Sequence, residues 1–183
     1  MTTLWKNDEA FKEKYLTEDH QYYITGDSGY HDEDGFLHIL NRTDDVINVA
    51  GHRLSTGRIE EVLMKVPEIV EAAVIGYNDE IKGEIPLGFI VLNGHIDHKH
   101  KEKLEKIKIK ALEEVILHIG PIAKMKDLIF VEKLPKTRSG KIVRALMRKI
   151  LNKQYYEIPA TLEDKHVLHL LVEEVKKHGY HIN

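Results

Sequence analysis

The sequence predicts an α+β fold: a small domain with a short antiparallel sheet flanked by helices, preceded by a β-hairpin segment. Three observations carry this. Short β-branched and aromatic runs are interspersed with apolar stripes of helical period. No regular strand–helix–strand repetition joins them, and polar turn clusters fall where hairpins would close. No internal repeat or low-complexity stretch suggests a solenoid or a linker array.

Residues 1–43 read as a helical turn followed by the hairpin. Tyr22, Tyr23 and Ile24 are strand formers, Thr25-Gly26-Asp27 breaks them, residues 31–35 turn, and residues 36–40 return as a strand. The polar stretch 41–45 is the expected boundary, dividing the chain into 1–43 and 44–183. Beyond it the run Val46-Ile47-Asn48-Val49 is mostly apolar and β-branched, ending at Gly51. Ser55 or Thr56 can cap a helix with the stripe Ile59, Val62, Leu63 and Val66, stopped by Pro67. Residues 69–77 and 85–92 read as strands joined by a polar loop. Leu104, Ile107, Ala111 and Val115 fall on one face of a long helix closed by Gly120 and Pro121. Residues 128–131 are a short strand, and 142–151 a helix with a basic wet face. Thr161 with Asp164 three residues on resembles a capping box for a last helix buried through Leu168, Leu171, Val172 and Val175.

Composition excludes several classes. The 183 residues are 42% hydrophobic and 31% charged with a net charge of −3, a globular balance with nothing global that favours nucleic acid or a membrane. No apolar run approaches a transmembrane span. The first twelve residues lack the apolar core of a signal peptide and carry acids, unlike a transit peptide. Without cysteine there are no disulfides, thiolate metal sites or cysteine nucleophiles. The charge is uneven: residues 1–45 hold eleven acids against four bases, whereas 133–149 hold seven bases and no acid. That asymmetry suggests a polyanion site near the second stretch.

Three short constellations could carry chemistry. Asp27, directly after Gly26 at a strand end, could accept two hydroxyl hydrogens from a ribose diol, or belong to an ordinary surface Gly-Asp turn. Arg42 and Arg53 flank a strand. Their planar forks suit phosphate oxygens, or they pair with nearby aspartates in a hairpin. Gly51 would admit positive φ or a close ligand. In Leu134-Pro135-Lys136-Thr137-Arg138-Ser139-Gly140-Lys141 the proline and glycine bound a stiff loop, and Lys141 sits where the next helix begins. An ammonium there could meet a carboxylate and a phosphate together; a solvated basic loop or a nucleic-acid patch is the alternative. It is not a P-loop, since Pro135 replaces the first glycine and Ile142 follows the lysine. His95, His98 and His100 cluster in a polar loop, without a carboxylate pattern that would favour metal over solvent.

In this order and spacing the motifs resemble the C-terminal part of the adenylate-forming superfamily, in its acetyl-/propionyl-CoA synthetase branch. The carriers are Tyr-Ile-Thr-Gly-Asp, Asn-Arg-Thr-Asp-Asp-Val-Ile-Asn-Val-Ala-Gly-His-Arg, Asp-Glu-Ile-Lys-Gly-Glu and Pro-Lys-Thr-Arg-Ser-Gly-Lys. The resemblance spans nearly the whole chain. It implies a mobile lid (44–183) joined to the edge of a large AMP-binding domain (1–43) whose remainder lies outside this sequence. The implied reaction joins acetate or propionate to CoA through an acyl-adenylate, with ATP, Mg2+ and CoA as substrates and AMP and pyrophosphate released. By resemblance Asp27, Arg42 and Arg53 bind nucleotide, Asp44 is the hinge, Ala50 and Gly51 line the pantetheine tunnel, and Lys141 is the adenylation lysine. Ile116 stands where relatives place an arginine for a CoA phosphate, which leaves Lys108, Lys110 or Lys124 as substitutes. No metal is assigned at the backbone-lined cation position near Val66. The resemblance further implies a fragment inactive alone, from a parent in the cytoplasm, or in the mitochondrial matrix if it carries a transit peptide. A non-catalytic module with the lid fold, or a basic-patch nucleic-acid binder, are the alternatives.

Overall fold

A mixed sheet covered on both faces by helices organises most of the chain. The computed structural model describes residues 3–43, 45–96 and 100–180, in two units, Met1–Asp44 and Asp45–Asn183.

In the first unit, helix α1 (Asp8–Tyr15) starts at Asn7, whose side chain accepts the Ala10 N–H, and has acids in its first turn and lysines in its last. These charges oppose the helix dipole at both ends. Strands β1 (Asp27–His31) and β2 (Leu37–Arg42) pair antiparallel, with a register shift between Ser28 and Gly29. Asp32 closes the turn, its Oδ1 accepting the N–H groups of Asp34 and Phe36 at 3.1 and 2.8 Å. The first strand therefore begins at Asp27, where the sequence suggests a break; Tyr23 makes only an isolated bridge to Leu16. The polar run Asp27-Ser28-Gly29 has poor strand propensity, and cross-strand pairing overrides it. Among the described residues of this unit Phe11 is the buried hydrophobic one, while Tyr22, Tyr30, Phe36, Leu37 and Ile39 are exposed.

The second unit begins with β3 (Val46–Val49), β4 (His52–Ser55) and α2 (Thr56–Leu63), capped by the Ser55 side chain. Strands β5 (Ile69–Asp79) and β6 (Gly83–Leu92) form a long hairpin. Its tip is only 80–82, tightened by Asp79 Oδ1 accepting the Ile81 and Lys82 N–H groups. Helix α3 (Lys101–Ile119) ends at Gly120 with φ 108°, and a 3-10 turn (Pro121–Ala123) leads to β7 (Asp127–Phe130). Helices α4 (Arg144–Leu151) and α5 (Lys165–Lys177) complete the unit.

The sheet is antiparallel as expected except for β7, which runs parallel to β6. With β5 on one edge of β6, the other is shared by β3, paired at Gly83, and β7, paired from Leu87 to Ile90. Ala72, Val74, Ile90 and Leu92 pack with α2 and α3. Ala73, Ile75, Leu87 and Phe89 pack with α4 and α5. Covering both faces explains why β5 and β6 read as nearly continuous apolar runs. Two sequence expectations change here. Asp164 is itself the cap of α5, accepting the His166 N–H, so Thr161 and Asp164 form no capping box. Helix α4 starts at Arg144, three residues after Lys141.

Candidate functional site

The sequence-predicted residues fall in both units. In the first, Asp27 and Arg42 are direct cross-strand partners. Arg42 Nη1 lies 3.3 Å from Asp27 Oδ1 and donates to the Thr25 carbonyl at 2.8 Å. Gly26, with φ 75°, leaves room for the guanidinium: a Cβ there would sit 2.8 Å from Arg42 Nη2. The Thr43 N–H and Oγ1–H both donate to the Gly26 carbonyl, tying the two strand ends together. Here the aspartate-paired reading of Arg42 is the observed one. With side chains 51% and 38% exposed, the pair is screened by solvent and contributes about 0–1 kcal/mol. Both carboxylate and guanidinium remain accessible to a ligand's hydroxyls or phosphate. Asp44 lies outside the described residues, as does His98.

In the second unit, Ala50 and Gly51 are the two central residues of the β3–β4 hairpin, with Val49 opposite His52. Both have positive φ, 48° and 85°, the signature of a tight turn matched to strand twist. For Ala50 this conformation costs about 1–2 kcal/mol. The turn is held by the Ala50 N–H donating to the Lys82 carbonyl at 2.8 Å. A Cβ on Gly51 would meet nothing within 4 Å, so the turn presents bare backbone to open space. Arg53, opposite Asn48, is exposed and makes no ion pair among the described residues.

Lys141 closes a loop whose geometry is set by backbone. The Thr137 N–H donates to the Lys141 carbonyl, the Lys141 N–H to Thr137 Oγ1, and the Gly140 N–H to the Thr137 carbonyl. Gly140 supplies the positive φ, 81°, that the turn requires. The Arg138 N–H donates to Thr161 O and the Glu163 N–H to Lys136 O, which ties the loop to the segment before α5. Lys136 Nζ reaches Glu71 at 2.6 Å. Lys141 is exposed and has no ion pair among the described residues. A fixed loop carrying an uncommitted cation suits a ligand with negative charge.

Helix α4, which follows the loop, is pinned at three successive turns. Arg144 grips Glu60 with two hydrogen bonds, 2.7 and 2.6 Å, and Glu60 also accepts the Val74 N–H at 2.8 Å. Burial alone would push the Arg144 pKa down, but the hydrogen bonds and charge of Glu60 outweigh it and hold it above its ordinary value. Arg148 pairs with Glu84, which accepts the Asn48 N–H at 2.9 Å. Asn152 donates to the Gly76 carbonyl and accepts the Asn78 N–H. The basic face of this helix is thus not simply wet. Of the seven bases in 133–149, Lys136, Arg144 and Arg148 are neutralised internally, so the surplus positive charge of this stretch is smaller than the raw count and lies on Lys133, Arg138, Lys141 and Lys149. Glu60 and Glu84 were not singled out by the motifs. Their signal in the sequence is an acid inside an apolar stripe, and Arg144, Arg148 and Asn152 at four-residue spacing are the matching partners.

The positions that the resemblance ties to a CoA phosphate differ in their surroundings. Ile116 is 39% exposed on α3. Lys108 pairs with Asp127, and Lys110 lies 3.4 Å from Glu68, while Lys124 is exposed and makes no ion pair among the described residues. Val66 is buried, and its N–H and carbonyl are both taken by neighbouring backbone. Among the described residues no group of three or more histidines or acids could hold a metal, and no helix is long and apolar enough to cross a membrane. A cleft of about 340 Å³ between α3, β7 and α5 is lined by Leu104, Phe130 and Val167 among others, and by none of the candidate residues.

The family described as the AMP-binding enzyme C-terminal domain matches residues 58–141. Acyl-CoA synthetase short-chain family member B, mitochondrial, from Dictyostelium discoideum is 50% identical over 176 residues, which is 96% of this chain and 25% of that protein. The human short-chain family member 3, mitochondrial, is 43% identical over 95% of this chain and 25% of its own length. Acetyl-coenzyme A synthetase 1 of Candida glabrata is 40% identical with the same coverage. The chain therefore spans about a quarter of the curated relatives it matches. Among solved structures, ATP-bound MatB from Rhodopseudomonas palustris superposes with a TM-score of 0.65 at 27% identity, covering 82% of this chain and 28% of that one.

Proposed function

This chain carries an AMP-binding enzyme C-terminal domain, with short-chain acyl-CoA and acetyl-CoA synthetases as its relatives, and from that premise we propose that it is the lid portion of a short-chain acyl-CoA ligase. The ligase joins acetate or propionate to CoA at the expense of ATP, releasing AMP and pyrophosphate. The observation that carries the reading is Lys141: an exposed ammonium at the end of a backbone-stitched loop, with no carboxylate partner among the described residues.

In the first half-reaction the substrate carboxylate attacks the α-phosphorus of ATP and pyrophosphate leaves. Negative charge gathers on the oxygens of the α-phosphate and the attacking acid, and Lys141 stabilises it. Asp27 accepts the ribose hydroxyl hydrogens, with Arg42 fixing that carboxylate from across the hairpin. Arg53 offers a second guanidinium to phosphate. In the second half-reaction the lid turns about Asp44, and the bare Ala50–Gly51 backbone lines the path of the pantetheine arm as the CoA thiol displaces AMP. Mg2+ enters with ATP, and no residue of this chain is assigned to it. The large AMP-binding domain that the relatives' length implies supplies the adenine and acyl sites, so residues 1–183 alone form no adenylate. Relatives named as mitochondrial support a mitochondrial location for a parent protein that carries a transit peptide, and the cytoplasm for one that does not.

The test is a chimera in which residues 1–183 replace the matching last quarter of the Dictyostelium relative. We expect acid-dependent ATP–pyrophosphate exchange that falls on the order of 100- to 1,000-fold in Lys141→Ala, the loss typical of a deleted transition-state charge partner. An undiminished rate in that variant would remove Lys141 from the chemistry.

A further inference from the structure

On the ligase reading Lys141 and the Ala50–Gly51 turn serve opposite half-reactions; some ninety residues separate them, and the helix that follows Lys141 shares polar contacts with the strand that leads into the turn. Arg148, one turn into α4, pairs with Glu84. Glu84 has only 7% of its surface exposed, and its second oxygen accepts the N–H of Asn48 at 2.9 Å. Asn48 is two residues before Ala50 on β3. The seat is shaped for this carboxylate. A Cβ on Gly76 would lie 2.5 Å from Glu84 Oε1 and 2.8 Å from its Cδ, so only a glycine on β5 leaves the group its place. At the other end, Arg144 on Glu60 and Asn152 on Gly76 and Asn78 keep α4 from sliding or tilting. A carboxylate with this little contact with water must keep both partners or move, because an unpaired buried charge is costly.

We propose that Glu84 and Arg148 are positioning residues that couple the Lys141 loop to the Ala50–Gly51 turn, so that the two half-reaction surfaces are carried as one rigid body. The proposal rests on the ligase reading for its kinetic consequences, but its structural half does not. When Arg148 loses its charge, Glu84 turns toward solvent and releases the Asn48 N–H, and β3 and α4 lose their common anchor. Arg144 and Glu60 still hold the start of α4, so the fold survives while the register between the two surfaces loosens.

Two measurements decide it. In residues 1–183, amide hydrogen exchange at Asn48 should speed by about tenfold or more in Arg148→Met and in Gly76→Ala, with exchange deep in β5 nearly unchanged; Arg148→Lys should restore most of the protection. Unchanged exchange at Asn48 in both variants overturns the coupling. In the chimera described above, Arg148→Met should both slow ATP–pyrophosphate exchange and raise KM for CoA, at a temperature where the variant is fully folded. The surface control Lys177→Met, which breaks only an exposed pair with Glu174, should change neither. If Arg148→Met lowers Tm but leaves adenylation and KM for CoA intact, the pair is merely structural and the proposal fails. If the wild-type chimera shows no acid-dependent exchange, the ligase reading is what has failed, and the Asn48 amide alone decides the coupling.

Discussion

The two units treat the same residue types in opposite ways. Phe89, in the second, is fully buried between β6 and the α4–α5 layer; Phe36, in the first, is 68% exposed beside a turn. Arg144 grips a buried carboxylate with two hydrogen bonds, whereas Arg42 meets a half-exposed aspartate at 3.3 Å. The second unit has a sheet sealed on both faces and satisfies its own buried charges. The first presents Tyr22, Tyr30, Phe36, Leu37 and Ile39 to solvent, five large apolar side chains within eighteen residues. The lesson is that one unit is a finished body, while the other has the character of an edge awaiting a larger surface, as the proposed large domain would provide.

The sharpest way to separate the two half-reactions is at Gly51. Asparagine tolerates positive φ, so Gly51→Asn should keep the turn while placing a side chain where the backbone is now bare. In the chimera the thioester step should fall on the order of 100-fold, with pyrophosphate exchange changed only a few-fold. Equal loss in both steps would mean that the turn does not face CoA specifically. Next in size is the matched phenylalanine pair. Phe89→Ala should cost about 3–5 kcal/mol of stability in denaturant unfolding of residues 1–183, and Phe36→Ala no more than about 0.5 kcal/mol. Similar costs at the two positions would erase the contrast between the units. In the chimera, Phe36→Ala should become destabilising.

The smallest effect expected is at the end of the second unit. Tyr180 packs edge-on against Tyr77, ring centroids 5.3 Å apart, and burial, with Asp127 and Tyr77 adding to it, pushes its phenol pKa up to about 12. A phenol with a raised folded-state pKa contributes stability that is fully present below its unfolded value near 10. That contribution is lost as pH climbs from about 10 toward 12. Tyr180→Phe should flatten this part of the stability–pH profile; an unchanged slope would assign it to other groups.

Much of this architecture is legible in the sequence because its signals are local. Ser55 caps α2, Gly120 closes α3, and the stripes Ile107–Ala111–Val115 and Leu168–Leu171–Val175 face the core as their spacing predicts. What escapes is non-local. Strand β1 begins in a polar run because pairing with β2 requires it, not because Asp27-Ser28-Gly29 prefers extended backbone. The parallel pairing of β7 depends on the α3 crossover, which no short window reveals. The destiny of charge is the clearest case. Arg144 and Arg148 look like one solvated basic face until Glu60 and Glu84, more than sixty residues upstream, are seen to take them. Lys141 is legible from its loop motif, and the fold adds that its neighbours Lys136, Arg144 and Arg148 are the bases that find internal carboxylates.

The most direct measurement of the account is ATP–pyrophosphate exchange by purified residues 1–183, with acetate or propionate, and without any added domain. We predict none above the acid-free background, because the charge at Lys141 has no bound nucleotide to act on. Turnover that depends on the acid would show that this chain holds a complete adenylation site and would contradict the division of labour between lid and large domain.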